Sequence, residues 1–136
     1  MTKEAKMFIR IDLQSDTPIY IQLRNQIIKG IATRKLKENE SLPSVRQLAE
    51  DLGINLHTVN KAYNILKQEG FIKLNRRKGA IVNLKKEIKS DSNKLVNLQK
   101  ILEPIVAEYY CKNVTKEEFI KIINKIWKDI ENGGLK

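Results

Sequence analysis

The sequence predicts a mostly α-helical protein with one short β-hairpin, and three observations support this. Two short helix patterns meet at Gly53, and the run Arg76-Arg77-Lys78 follows between two strand-like segments. Apolar residues at helical spacing then recur twice before the chain ends. Together they indicate a winged helix-turn-helix over residues 8–86, with three helices and a two-stranded β wing, followed by a two-helix segment over residues 87–136.

The first elements are one short strand and one helix. Residues 1–7 are polar and are expected to be disordered, whereas residues 8–11 resemble a strand. Pro18 is tolerated at the first position of a helix. A polar connector, residues 33–41, follows that helix, whose inner stripe comprises Tyr20, Leu23, Ile27 and Ile31.

The two helices that meet at Gly53 have recognisable ends. Ser44 is placed to cap the first, and Gln47 three residues later predicts a capping box. Gly53 suits a left-handed helix end, and Asn55 can cap the second helix. The apolar face of the first helix comprises Val45, Leu48, Ala49 and Leu52.

The second of these helices has one apolar stripe and one polar face. The stripe comprises Val59, Ala62, Tyr63 and Leu66. The polar face comprises His57, Thr58, Asn60, Lys61, Asn64 and Lys67, with no acidic residue before Glu69. Alone, such a face would be read as an ordinary solvated surface. The turn chemistry before it and the basic hairpin after it favour contact with phosphates instead.

The hairpin combines two strand-like runs with a cationic tip. Residues 71–74 and 81–84 are the predicted strands, and Asn75 to Gly79 form the turn between them. A solubilising loop would more often mix charges of both signs. A wing of this kind is expected to reach the phosphates and the minor groove of DNA.

The charge of the chain is concentrated in its N-terminal part. Residues 1–86 hold 17 Lys/Arg and 8 Asp/Glu, a net of +9, whereas residues 87–136 hold 9 and 8, a net of +1. A polyanion-binding surface requires this asymmetry, and a membrane-surface role would place the cations on one long amphipathic helix. We therefore expect nucleic acid, not a membrane, as the partner.

Catalytic and metal-binding signals are missing from the sequence. His57 is the single histidine, and no Cys/His spacing, Walker-type loop or dinucleotide glycine motif occurs. We expect no catalysis, no metal and no cofactor. The single cysteine, Cys111, is expected to be a small buried thiol, and it excludes an internal disulfide, which indicates the cytoplasm. We expect no membrane span and no signal peptide.

The last two helices carry more apolar surface than they can bury together. Leu95, Leu98, Leu102, Ile105 and Tyr109 form a short heptad-like seam, which Pro104 is expected to kink. Thr115 and Glu118 predict a capping box. The apolar face after that box comprises Phe119, Ile122, Ile123, Ile126, Trp127 and Ile130. These helices must pack on the N-terminal domain or on a second subunit.

Several motifs resemble the winged-helix domain of GntR-type bacterial transcription regulators. They are Pro18–Leu23, Leu42–Ala49, Thr58–Tyr63 and Gly70–Ile72, within a match over residues 8–84. The short C-terminal part resembles the YtrA-type branch. This resemblance implies a sequence-specific regulator of transcription, a repressor, that binds double-stranded DNA with an inverted repeat as a homodimer.

The resemblance also assigns residues to DNA contact and implies dimerisation through the C-terminal helices, whose apolar faces supply the candidate residues. The candidate DNA-binding residues are Ser44, Arg46, Asn55, His57, Thr58, Asn60, Lys61, Arg76, Arg77, Lys78 and Gly79. The candidate dimerisation residues are Leu98, Leu102, Ile105, Tyr109, Phe119, Ile123, Ile126, Trp127 and Ile130. Any small-molecule effector stays unknown, since the branch lacks the large effector domains of the family.

Two departures from the family pattern and two other functions stay open. Arg34 and Asn39 replace usual glycines, and arginine predicts a changed turn, while Ala80 replaces a wing threonine. The alternatives are a winged-helix protein-interaction module and a non-specific nucleic-acid-binding protein. The basic wing disfavours the first, and the absence of stacking aromatic residues on a basic face disfavours RNA binding.

Overall fold

A computed structural model describes residues 2–4, 9–88 and 92–134, which fall into two units, residues 1–89 and residues 90–136. The N-terminal unit contains β1 (Thr2–Glu4), β2 (Arg10–Asp12), α1 (Ile19–Ala32), α2 (Val45–Leu52), α3 (Leu56–Gln68), β3 (Ile72–Asn75) and β4 (Gly79–Val82). The C-terminal unit contains α4 (Lys94–Cys111) and α5 (Lys116–Glu131). The predicted winged helix-turn-helix with two further helices is confirmed.

The core of the N-terminal unit is built around α3, which packs against α1, α2 and β3. Each fully buried aliphatic side chain contributes roughly 1.5–3 kcal/mol relative to an exposed one, so this shared core holds the helices and the wing together. Its central members are Leu23, Ile27, Leu48, Leu52, Val59, Leu66, Ile72 and Val82.

The strand over Thr2–Glu4 differs from the expectation of disorder for residues 1–7, and residues 1 and 5–7 lie outside the described residues. β1 pairs antiparallel with β2, and Thr2 lies opposite Asp12. Two glutamines of α1 bond the backbone of β2: Gln26 Oε1 accepts from the Arg10 N–H at 2.8 Å, and Gln22 Oε1 accepts from the Asp12 N–H at 2.9 Å. β2 therefore has partners on both sides. α1 begins at Ile19, so Pro18 is its N-cap and not its first helical residue.

The connector after α1 keeps the backbone shape that glycines would favour. Arg34 has φ 65° and Asn39 has φ 66°, so both are left-handed. The expectation that Arg34 changes the turn is wrong, because the arginine adopts the left-handed conformation despite its steric cost. The Asn39 and Leu42 N–H groups then donate to Val82 and Ala80 of β4, at 2.9 and 2.8 Å.

The helix-turn-helix forms as its end residues predict, with one exception. Ser44 Oγ accepts from the Gln47 N–H at 3.0 Å, and Asn55 Oδ1 accepts from the His57 N–H at 2.8 Å. Gly53 is left-handed, with φ 64°. The capping box is incomplete because the Gln47 side chain donates to Asp51 Oδ1 one turn later, at 2.7 Å.

The wing is a tight two-stranded hairpin. Ile72 pairs with Val82, and Asn75 pairs with Gly79. The first strand therefore begins one residue later than predicted, and the second begins two residues earlier. Asn75 Oδ1 accepts from the N–H groups of Arg77 and Lys78, at 2.9 and 3.1 Å. An asparagine that bonds backbone two residues on fixes a turn, so the cationic tip is held in one shape.

The C-terminal unit consists of two amphipathic helices. α4 continues through Pro104, and α5 begins with the predicted capping box between Thr115 and Glu118. The bonds from Thr115 lower the pKa of the Glu118 carboxyl, because they favour its charged form. Cys111, expected to be buried, is exposed at the end of α4.

Gly53 offers a test of the turn between α2 and α3. Nothing lies within 4 Å of a Cβ atom built there, so alanine would cost only left-handed backbone strain, about 1–2 kcal/mol. Gly53→Ala should therefore lower the free energy of unfolding in urea by about that amount. Gly53→Asn is the matched control and should lose clearly less, because asparagine tolerates this conformation. Equal losses would show that left-handed backbone strain does not set the cost.

Candidate nucleic-acid interface

The candidate DNA-binding residues lie on three neighbouring elements of the N-terminal unit. Ser44 and Arg46 are at the start of α2, the next group is at the start of α3, and residues 76–79 form the wing tip. All of them are exposed except Thr58, which is half-buried. The wing joins the start of α2 through the backbone bonds of residues 39–42 to β4. The structure thus places these residues on one connected framework.

The start of α3 is rich in donors and free of acidic side chains. No acidic residue occurs in its first turn, and Asn55, His57, Asn60 and Lys61 are exposed there. The caps use the Ser44 and Asn55 side-chain oxygens as acceptors. The Ser44 hydroxyl proton and the Asn55 amide group thus keep the ability to donate to a phosphate.

Glu69, at the opposite end of α3, is neutralised by α1. Arg24 Nε and a second guanidinium nitrogen donate to its two carboxylate oxygens at 2.8 and 3.0 Å. This bidentate pair raises the pKa of Arg24, chiefly through the hydrogen bond to Glu69. The nearest anion on α3 is therefore paired with a cation and lies at the end of the helix away from Asn55.

Lys61 has a partner that the sequence did not indicate. Its ammonium nitrogen lies 4.0 Å from the centre of the Tyr20 ring on α1. Such a cation–π contact is worth about 0.5–1 kcal/mol at an exposed site. Lys61 is thereby held on the α1 side of α3. The sequence pattern assigned Tyr20 to the inner apolar stripe of α1. The contact of its ring with Lys61 depends on the packing of α1 against α3, which the pattern does not show.

The Tyr63 side chain connects α3 to Pro43, which lies just before α2. Its hydroxyl donates to the Pro43 carbonyl oxygen at 2.8 Å, and burial raises the pKa of the phenol. The hydroxyl therefore keeps its proton at neutral pH and keeps donating. Sequence reasoning treated Tyr63 only as an apolar stripe residue. The structure shows that it also fixes where α2 begins relative to α3.

Leu56, the first residue of α3, was not among the predicted site residues. It is 39% exposed, between the candidate residues Asn55 and His57. It lines an open depression of about 440 Å³ together with Arg46, Ala49, Glu50, Gly53 and Ile54. Its spacing of three from Val59 would have assigned it to the buried stripe. The exposure is a tertiary property, because the core ends before this position.

The candidate dimerisation residues are placed on exposed helix faces. Leu98, Ile105, Tyr109, Ile123, Ile126 and Trp127 are exposed, and Leu102, Phe119 and Ile130 are half-buried. An apolar groove of about 600 Å³ along α4 adds further residues, Val106 and Tyr110 among them. Within the described residues, α4 and α5 make at most a marginal contact with each other. None of the described helices is long and apolar enough to cross a membrane.

Comparison with known proteins decides the family. The family of bacterial regulatory proteins named gntR matches residues 18–82. The transcriptional repressor YtrA of Bacillus subtilis is 32% identical over 92% of this chain and 96% of its own. This chain belongs to the GntR family. It is a DNA-binding regulator of transcription, as are the relatives of this family that share its helix-turn-helix.

Two solved structures extend this likeness to the GntR fold. A transcriptional antiterminator from Listeria monocytogenes superimposes with a TM-score of 0.82, at 28% identity, over 93% of this chain and 94% of its own. YtrA from Sulfolobus acidocaldarius, a GntR-family transcription factor, gives 0.52 at 39% identity, over 88% and 96%. The likeness therefore covers both units, not the helix-turn-helix alone.

The bond from Tyr63 to Pro43 offers a test of how α3 and α2 are joined. Tyr63→Phe removes the donor and leaves the carbonyl oxygen without it, so the free energy of unfolding should fall by about 0.5–1.5 kcal/mol. Urea denaturation measures this. Tyr110→Phe is the matched control, because Tyr110 is 80% exposed, and it should change little. Equal values for the two variants would contradict a structural role for the Tyr63 hydroxyl.

Proposed function

We propose that this GntR regulator is a cytoplasmic homodimeric repressor that binds an inverted-repeat operator in double-stranded DNA. The observation that carries the proposal is the anion-free, donor-rich start of α3 beside the rigid cationic wing tip. In a helix-turn-helix the N-terminal residues of the second helix contact base edges. α3 is the second helix here.

The exposed side chains of α3 divide into readers and anchors by their chemistry. Asn60 and His57 carry donors and acceptors that match base edges, and asparagine pairs well with adenine. Lys61 is a point charge and suits a phosphate, which fixes position without reading sequence. Arg46 would add a second anchor from α2.

The wing supports the same mode of binding. Arg76, Arg77 and Lys78 are exposed, and the two bonds to Asn75 Oδ1 hold their backbone in place. A preformed cationic turn loses less conformational entropy on binding than a mobile loop. Gly79 has φ 74° with open space around it, so the backbone there can approach DNA closely.

Dimerisation is supported by the apolar surfaces of α4 and α5. Both helices expose large apolar side chains along most of their length, and they bury little against each other. Exposed patches of this extent usually mark association. A second copy of the chain fits best, because the C-terminal faces carry little net charge, and two linked readers raise each other's effective concentration on DNA.

Repression is proposed from the relatives, since YtrA of Bacillus subtilis is named a transcriptional repressor. Bound duplexes selected from a random pool should reveal an inverted repeat with half-site centres about one helical turn, or a multiple of it, apart. Titration of that duplex against random duplex at fixed salt then tests the proposal. Equal affinities would favour non-specific nucleic-acid binding, and no binding would favour a protein-interaction module.

Asn60 and Lys61 test the division into readers and anchors. Asn60→Ala should cost roughly 1–3 kcal/mol on the selected duplex and relax its preference, because a base contact is lost. Lys61→Ala should weaken selected and random duplexes alike and lower the salt slope by about one unit. Equilibrium titration at several salt concentrations measures both. Equal losses of Asn60→Ala on the two duplexes would remove Asn60 from the readers.

The dimer is tested by charge on α5. The double change Ile123→Asp, Trp127→Asp should give a monomer in sedimentation and weaken binding to the selected operator at least tenfold, because a buried unpaired charge is costly. The double change Lys121→Asp, Lys125→Asp adds two aspartates to the same helix outside the apolar face and should stay a dimer. A dimer in the first variant would contradict this interface.

A further inference from the structure

Leu56 is an unusual side chain for the place it occupies. Among the described residues of the N-terminal unit, only Leu13, Leu56 and Leu74 are large, apolar and exposed, at 42%, 39% and 73%. Single exposed leucines are common and need no explanation by themselves. Leu56, however, is the first residue of the helix that is proposed to enter the major groove, where every neighbour on the exposed face is polar.

The packing of α3 explains why Leu56 projects outward. Val59 and Tyr63 continue the same stripe and are 0% and 2% exposed, so the core ends between Leu56 and Val59. Side chains of a helix tilt towards its N-terminus. The Leu56 side chain therefore extends past the first turn, in the direction from which the groove would be approached. Leu56 shares an open depression with Arg46 of α2.

We propose that Leu56 is a specificity-determining residue that recognises thymine by packing against its 5-methyl group. This inference rests on the proposed function, because it requires α3 to lie in the major groove. The thymine methyl is the apolar group that base pairs present in that groove. Asn55 and His57 are polar and Thr58 is half-buried, so Leu56 is the exposed aliphatic side chain of this turn.

The same contact would disfavour cytosine at that position. Cytosine lacks the methyl group and presents an amino donor instead. That donor would find the Glu50 carboxylate, which lines the same depression, so cytosine would lose only the methyl contact. The preference that Leu56 supplies thus rests on the methyl contact itself.

The experiment removes single methyl groups from the operator. Each thymine of the selected duplex is replaced in turn by deoxyuridine, and affinities for the full-length protein are measured at fixed salt. Burial of one methylene is worth about 0.8 kcal/mol, so one position per half-site should weaken binding about fourfold. Replacement in both half-sites should weaken it on the order of fifteenfold. Random duplex with the same replacements controls for changes in DNA shape.

Protein variants then assign the effect to Leu56. Leu56→Ala should bind the thymine operator more weakly and should no longer distinguish thymine from deoxyuridine. Leu56→Gln keeps the length and the helix propensity of the side chain, so it tests the same loss if the alanine variant folds poorly. Leu13→Ala removes a leucine of nearly equal exposure after β2, and it should keep the full dependence on the methyl group.

The outcomes separate this inference from the proposed function. Binding to the selected duplex without any methyl-sensitive position would overturn the role of Leu56 and leave the repressor proposal standing. Methyl sensitivity that persists in both Leu56 variants would assign the contact to another residue. If no duplex is preferred over random DNA, the proposed function itself is wrong, and this inference falls with it.

Discussion

The structure of the N-terminal unit depends on one constraint: α3 must fill the core and expose a polar face at the same time. Four of its side chains, Val59, Ala62, Tyr63 and Leu66, are buried against α1, α2 and β3. Because a helix of thirteen residues is rigid, this packing also fixes the direction in which Asn60 and Lys61 point. The core therefore sets the geometry of the proposed reading surface.

Longer-range bonds then adjust the elements around α3. The Tyr63 hydroxyl holds the start of α2, Arg24 neutralises Glu69, and residues 39–42 join the wing to the same framework. None of these contacts is large by itself, since a net hydrogen bond contributes about 1 kcal/mol. Together they hold the two helices and the wing, with their donors and cations, in one fixed arrangement.

The C-terminal unit obeys the opposite constraint. α4 and α5 are well formed locally, with a complete capping box at Thr115, yet they bury few apolar side chains in the single chain. Most of the stability of a helix in a protein comes from packing of its apolar face. The proposed dimer would supply such packing from outside the pair.

The sequence by itself determined the local features: both helix caps of the helix-turn-helix, the Gly53 turn, the apolar stripe of α3 and the cationic wing tip. These depend on interactions among residues a few positions apart, which sequence patterns record directly. Only the tertiary structure decided the left-handed conformation of Arg34, the contact of Lys61 with Tyr20 and the exposure of Leu56 and Cys111. Such features depend on which distant segments pack together and where the core ends, and no local spacing specifies either.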